Sequence, residues 1–387
     1  MVVTFKTFQS GIGDCIFLVL KQGDKQFSIM VDCGRYTREI KQYVVETLNK
    51  KIDLLIVTHI DADHNEGITK MLQNMKDLSI GEIWFNCYQR TSEDTIPLNE
   101  MQKSCLTRLY GKIPQVIDIM DTQINSEHAM MLSEVILANP AWKAVWRRDY
   151  IKKGMPNYPI ADGAFGTINI LSPTQQELND LDNEFKVLFY EFFYGKHPEE
   201  SLDKDTTIYE LLQRVAQESE DKETTPPEQA TAINIDKKLI EGACKNKLLP
   251  LTLANRSSIA FVWEHSGHKI LFLGDSSPAI VVNSIDGASV YDAVKISHHG
   301  SAHSTSVELM GRIDSLHYFF TGGKGNTRPH IDAIARVINR PLKDDMDDRI
   351  LHFNYCNDWI KGLCKESLQT ELHFSVDCSR NELTYDI

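Results

Sequence analysis

Long hydrophobic runs are missing from this sequence. The longest, Cys15-Ile-Phe-Leu-Val-Leu20 and Leu54-Leu-Ile-Val57, fall far short of the roughly 18 residues a membrane helix requires. The sequence therefore predicts no membrane span and no membrane partner. Met1-Val-Val-Thr-Phe-Lys6 reads as a strand and lacks the basic, apolar and small-residue regions of a secretory signal, so secretion is not expected. No CxxC pair occurs among the eight cysteines (Cys15, Cys33, Cys87, Cys105, Cys244, Cys356, Cys364, Cys378), and a chain of 387 residues buries a core without staples. They are expected to be reduced thiols of a cytoplasmic protein. Positive charge is in short supply as well: 41 Lys+Arg against 54 Asp+Glu give a net charge of −13, which argues against a protein that coats nucleic acid by bulk electrostatics but leaves local basic patches open. Solenoid repeats are not seen.

With 42% hydrophobic and 25% charged residues, the composition is that of an ordinary globular protein. Apolar, β-branched runs bounded by turn residues predict strands over Val2–Phe8, Ile16–Leu20, Phe27–Val31 and Leu54–Thr58. Later runs do the same over Thr167–Leu171, Ile259–Trp263, Ile270–Leu273, Ala293–Ser297, Leu316–Phe320 and Leu372–Val376. Helical spacing of Ile40, Tyr43, Val44, Thr47 and Leu48 predicts a helix over Thr37–Asn49. Further helices are expected to open at Ile68–Met75 and to occupy Ile331–Ile338. Two strand-rich halves with helices outside them predict a layered α/β fold in one domain, residues 1–387. Residues 179–247 differ: Glu184–Tyr194 and Ile208–Val215 are helical in period, and the acidic, Pro-containing Ser219–Gln229 reads as a surface linker. They are expected to form a helical insertion, a candidate surface for a protein partner.

The chemistry concentrates at Thr58-His-Ile-Asp-Ala-Asp-His-Asn-Glu-Gly67, where His59, Asp61, Asp63 and His64 crowd into one turn directly after an apolar strand. A divalent cation would neutralise such a group and use its lone pairs, whereas the alternative is a solvated polar turn. Three other strands end similarly, in Asp32, in Asp275 and in His298-His299, and ligands in layered α/β folds collect at the carboxyl ends of strands.

This ordered set of motifs resembles the metallo-β-lactamase superfamily, whose HxHxDH signature after a strand is followed by a lone Asp and a lone His on later strand ends. Here Asp61 stands at the second His. Within the superfamily the chain is similar to the hydrolase domain of the competence protein ComEC and its soluble relatives, through Gly13-Asp-Cys15, Val31-Asp-Cys-Gly34, Leu273-Gly-Asp275, Ser297-His-His-Gly-Ser301, and Thr321-Gly-Gly323 followed by Pro329-His330. The resemblance implies a four-layer αββα sandwich with one or two divalent ions, Zn or Mn, on its edge. It carries over His59, Asp61, Asp63, His64, Asp275 and His298 as ligands, with Asp275 between the ions. The further His usual in the superfamily has only His128 as a candidate. The oxygen-rich set shifts the choice of metal toward manganese.

Asp32, and Asp14 with it, would accept the spare N–H of a ligating imidazole. One of His298 and His299 would ligate while the other faces substrate; His299, Asp63 and His330 are the candidate catalytic residues, with Lys324 and Arg328 as flexible cations. The nucleophile implied is a metal-bound hydroxide, and no GxSxG elbow points to a serine instead. The resemblance favours a phosphodiester substrate, either nucleic acid or a nucleotide. Amide, lactone or thioester hydrolysis on the same fold is the alternative, and a non-catalytic interaction module is a second. Trp146-Arg-Arg-Asp-Tyr-Ile-Lys-Lys153 combines cations with aromatics that could stack on bases, or is a solvated edge anchored by its two aromatic rings.

Overall fold

Burial on both faces of the strands dictates layers on both sides of each sheet. The computed structural model describes residues 1–86, 132–181, 235–323, 328–339, 348–379 and 381–387. Its strands are β1 (Val2–Thr7), β2 (Ile16–Gln22), β3 (Lys25–Val31), β4 (Lys51–Val57), β5 (Ser79–Phe85), β6 (Tyr158–Pro159), β7 (Thr167–Ser172), β8 (Ala260–His265), β9 (His268–Phe272), β10 (Ser289–Lys295), β11 (Ile313–Phe320), β12 (Arg349–Phe353), β13 (Phe374–Asp377) and β14 (Glu382–Asp386). They form one sheet in the order β14-β1-β2-β3-β4-β5 and another in the order β13-β12-β11-β10-β9-β8-β7-β6.

In β2, Ile16, Leu18 and Leu20 face the second sheet's Phe261, Trp263, Ile270 and Phe272. The alternate residues Phe17 and Val19 face Ile40, Ile68, Met71 and Leu72 of the outer helices. The second sheet repeats the arrangement: Val262, Leu271, Val294 and Ile296 lie under helices that contribute Ile240, Val281, Leu309 and Ile334. Each such side chain taken from water contributes roughly 1.5–3 kcal/mol. The result is the four-layer αββα sandwich expected from the sequence. Phe5 ties the sheets together, its ring 4.5 Å from Phe319 and 5.5 Å from Phe272.

Several expectations need correction. The helix predicted to open at Ile68 spans Ala62–Asn74, so Asp63 and His64 sit in its first turn. Thr37–Asn49 divides into an α-helix, Arg38–Gln42, and a π-turn, Tyr43–Thr47. Leu372 ends a helix, and the strand begins at Phe374 after His373 with φ 53°. Eight reduced thiols were expected, yet Cys356 and Cys378 form a disulfide, Cα–Cα 5.7 Å; they leave the adjacent parallel strands β12 and β13 just past their ends, a proximity that no local spacing reveals. Cys15, Cys33, Cys244 and Cys364 are free.

Of the insertion expected at 179–247, residues 182–234 lie outside the described residues, as do His128, Lys324, Cys87 and Cys105. Its end, the helix Lys237–Cys244, packs Ile240 and Ala243 into the outer layer of the second sheet. Among the described residues no helix is long and apolar enough to cross a membrane.

Candidate metal centre

Strands β3 and β4 run parallel in the first sheet, and β9, β10 and β11 run parallel in the second. Their carboxyl ends meet at one edge of the sandwich, where Ile259 N donates to Thr58 O across the two sheets (2.9 Å). His59 follows β4, and His64 N donates to Asp61 O at the helix start (3.0 Å). Asp275 follows Gly274, which has φ +51° and where a Cβ would lie 2.5 Å from Ser258 Oγ, so glycine is required at that approach. His298 and His299 both adopt left-handed backbone, φ 51° and 54°, a conformation that costs on the order of 1–3 kcal/mol per residue and turns two adjacent imidazoles into the same edge.

One carboxylate oxygen is the hub. Asp275 Oδ2 lies 3.3 Å from His64 Nε2, 3.5 Å from His298 Nε2, and 3.9 Å from Nε2 of both His59 and His299. Asp61 Oδ2 is 3.3 Å from His59 Nε2 and Asp63 Oδ2 is 3.2 Å from His299 Nε2. His59, His64 and Asp275 form one group able to hold a metal ion, and Asp14, His64 and His299 form another.

The tautomers follow from the surrounding hydrogen bonds. Asp32, itself at φ 57°, accepts from Thr58 N and Thr58 Oγ1, both at 2.7 Å, and from His64 Nδ1 at 2.8 Å. Because the Thr58 hydroxyl gives its proton to Asp32, its oxygen accepts from His59 Nδ1 (3.0 Å). A single buried carboxylate thus holds the Nδ1–H of two imidazoles and turns both Nε2 atoms toward Asp275, where they could serve as ligands. Those two nitrogens are buried and meet no hydrogen-bond geometry among the described residues. Left so, each would cost about 1–3 kcal/mol; a divalent cation would satisfy both, so the donor set fits a metal.

Asp14 does for His299 what Asp32 does for His64: its Oδ1 accepts from His299 Nδ1 (2.9 Å) and from Thr321 Oγ1 (2.5 Å). Its other oxygen pairs with Lys295 Nζ. Lys295 is buried, donates to Gly274 O (3.1 Å), and stands 3.8 Å from Asp275 Oδ1. Burial alone would raise the carboxyl of Asp14, but Lys295 and His299 hold it well below the ordinary range. Asp275 is likewise lowered, its burial outweighed by His64, His298 and His299. Burial pulls His299 down, yet Asp14 and Asp275 lift it to about 8. His64 is raised against its burial by Asp275, Asp32 and Asp63, while burial and Arg328 lower His298. Lys295 faces Asp14, Asp275 and, farther off, Asp32, while Asp61 and Asp63 add two more carboxylates beside the imidazoles, a crowding that attracts cations.

The structure brings together His59, Asp61, Asp63, His64, Asp275, His298 and His299, with Asp32 and Asp14 behind them. His330 is placed differently: its Nδ1 accepts from Ala302 N (3.1 Å) and its backbone N–H donates to Gly300 O (2.9 Å), so it braces the loop that follows His299. Trp146 is buried, with Nε1 donating to Phe85 O and Arg148 over its ring at 4.1 Å, which removes it as a base-stacking surface. Lys295 was missed in the sequence, although a lysine in the apolar run Ala293-Val-Lys-Ile296 signals a buried, paired cation.

Comparison with family models gives no match, and no curated protein matches the chain. Among solved structures the chain is similar to the metallo-β-lactamase fold protein YhfI from Bacillus subtilis, at 9% identity and TM-score 0.37 over 100% of both chains. It is also similar to Zn(2+)-bound PqqB from Methylobacterium extorquens, at 10% identity and TM-score 0.39 over 100% of both. A mutant of the CmlA β-hydroxylase matches at 10% identity and TM-score 0.36, covering 99% of this chain and 54% of that one. The candidate centre stands on the geometry of Asp275 and the four imidazoles.

Proposed function

We propose that the chain is a metal-dependent hydrolase of the metallo-β-lactamase superfamily, acting on phosphodiesters of nucleic acid or nucleotides, as its likeness to the ComEC hydrolase domain implies. The observation that carries the metal reading is the convergence of four imidazole Nε2 atoms on Asp275 Oδ2, two of them buried and without a hydrogen bond among the described residues. His59, His64, Asp275 and His298 or His299, joined by Asp61 and Asp63, would hold one or two divalent ions, with the oxygen-rich set favouring manganese over zinc. Such ions supply Lewis acidity, acidifying a water and polarising a phosphoryl oxygen.

The chain's own residues do the rest. Asp32 and Asp14 fix the Nδ1–H tautomers of His64 and His299, and Lys295 balances Asp14 and Asp275. The Asp63 and Asp61 side chains are 20% and 15% exposed, against 1% for Asp275, and of these solvent-facing carboxylates Asp63 Oδ2, beside His299, can take the proton of the attacking water. His299 Nε2, hydrogen-bonded to it, can share that proton.

A panel of bis(p-nitrophenyl) phosphate, a phosphomonoester, a lactam, a lactone and a thioester, assayed with Mn and with Zn, tests the reading. Phosphodiester turnover that is higher with Mn is the expected result. Intact phosphodiesters with every metal, alongside cleavage of a lactone or thioester, would overturn the substrate assignment.

A further inference from the structure

The two segments that carry Asp14 and Asp32 also form the walls of an open cleft. Between Ser10–Gly13, Gly34–Arg38 and Tyr355 lies a cleft of about 410 Å³, lined by Gln9, Gly11, Arg35, Tyr36, Arg38 and Tyr355. Hydrogen bonds hold its walls. Ser10 Oγ accepts from Arg35 N (2.7 Å), the Tyr355 hydroxyl accepts from Gly11 N (3.0 Å), and Gly34 N donates to Asp14 O (2.9 Å). Its walls are continuous with the metal centre, since Gly13 and Gly34 pack against the backbone carbonyl of Asp63 so closely that a Cβ at either would strike it.

The cleft's charge runs against that of the whole chain. In a protein of net charge −13, Arg35 and Arg38 are both exposed, line one cleft, and make no ion pair among the described residues. The planar donor sets of two guanidinium groups match phosphate oxygens. Beside them are the amide of Gln9 and the ring of Tyr355. Ile12, 61% exposed, stands at the lip between this cleft and the centre: its neighbour Gly11 lines the cleft, and its carbonyl accepts from Gly323 N (3.1 Å) on the other side.

We propose that this cleft is an anion subsite, which binds a phosphate of the substrate other than the one being cleaved. The inference rests on the phosphodiesterase reading and narrows it to nucleotides or short oligonucleotides with at least two phosphates. The arginines anchor the non-reacting phosphate, and the scissile linkage is presented past Ile12 to Asp275 and its imidazoles.

The test uses dithymidine methylphosphonate, whose linkage carries no charge, with and without a 5′-phosphate. Each is titrated calorimetrically into the purified protein and into Arg35→Ala/Arg38→Ala, whose substitutions are on exposed side chains. Wild type should bind the phosphorylated form at least about tenfold more tightly, and the double variant should lose that preference, with Arg35→Lys/Arg38→Lys in between. In parallel, KM for 5′-phosphorylated dithymidylate relative to dithymidylate should rise at least tenfold in the double variant. Equal binding of the two analogues by wild type, or a preference that survives in the double variant, would overturn the subsite. An arginine-dependent binding preference without turnover of either dinucleotide would instead keep the subsite and remove the phosphodiesterase reading.

Discussion

The space between the sheets and the edge of the sandwich are made by the same strands, yet they obey opposite rules. In β4, Leu54 and Ile56 are part of the apolar layer between the sheets, and three residues after Ile56 comes His59. In β9, Ile270 and Phe272 belong to that layer, with Asp275 next along the edge; in β10, Ala293 gives way to Lys295 and the two histidines. Between the sheets, stability comes from buried apolar area. At the edge, buried nitrogens lack hydrogen bonds among the described residues and carboxylates crowd together, which is tolerable because the apolar layer holds the strand ends where they are and a cation can complete the group. Stability and function are therefore separable by mutation.

The largest effect should come from the edge. Asp275→Ala is expected to reduce hydrolysis by about three orders of magnitude or more while circular dichroism shows that the metal-free variant keeps its fold; a variant that simply unfolds would remove the separation. The opposite experiment is Phe5→Ala between the sheets. It should destabilise the protein by about 3–5 kcal/mol in urea denaturation, with the folded fraction binding metal at the wild-type stoichiometry. Asp32→Asn lies between the two regions: it keeps the shape of the buried group but not its ability to fix the His59 and His64 tautomers, and should weaken metal affinity about 10–100-fold in a competition titration with a chelator.

The smallest effect is one of pH. In the metal-free protein the His299 imidazole is raised from 6.5 to about 8 by Asp14 and Asp275 against its burial. A folded-state pKa above the unfolded one contributes stability that is fully present below about 6.5 and is lost as pH rises through about 8. The urea midpoint of metal-free protein should fall over that interval, with His299→Gln flattening the trend. Metal uptake at pH 7 should release protons.

Much of the edge was legible because its chemistry is local in sequence: His59 to His64 fall in one short motif, and Asp32, Asp275 and His298-His299 each terminate an apolar run. The layered α/β fold was legible in the apolar runs, while its four-layer form was implied by the resemblance alone; the structure bears it out, with Phe17 and Leu18 of β2 buried on opposite faces. What escaped depends on long-range placement. Lys295 makes sense only beside Asp14, 281 residues earlier in the chain, and the cysteine pair joins the ends of neighbouring strands 22 residues apart. The cleft between Arg35, Arg38 and Tyr355 joins two distant segments that no motif links. β5 and β12 went unread since their apolar alternation is interrupted by Gly81, Glu82 and His352.

Metal content tests the central claim most directly. Elemental analysis of wild type, His64→Ala and Asp275→Ala, each loaded with Mn or Zn and desalted, should find one or two ions per wild-type chain and the loss of at least one from each variant. A wild-type protein that holds no ion after loading, or variants that retain full occupancy, would contradict the assignment of this edge as a metal centre.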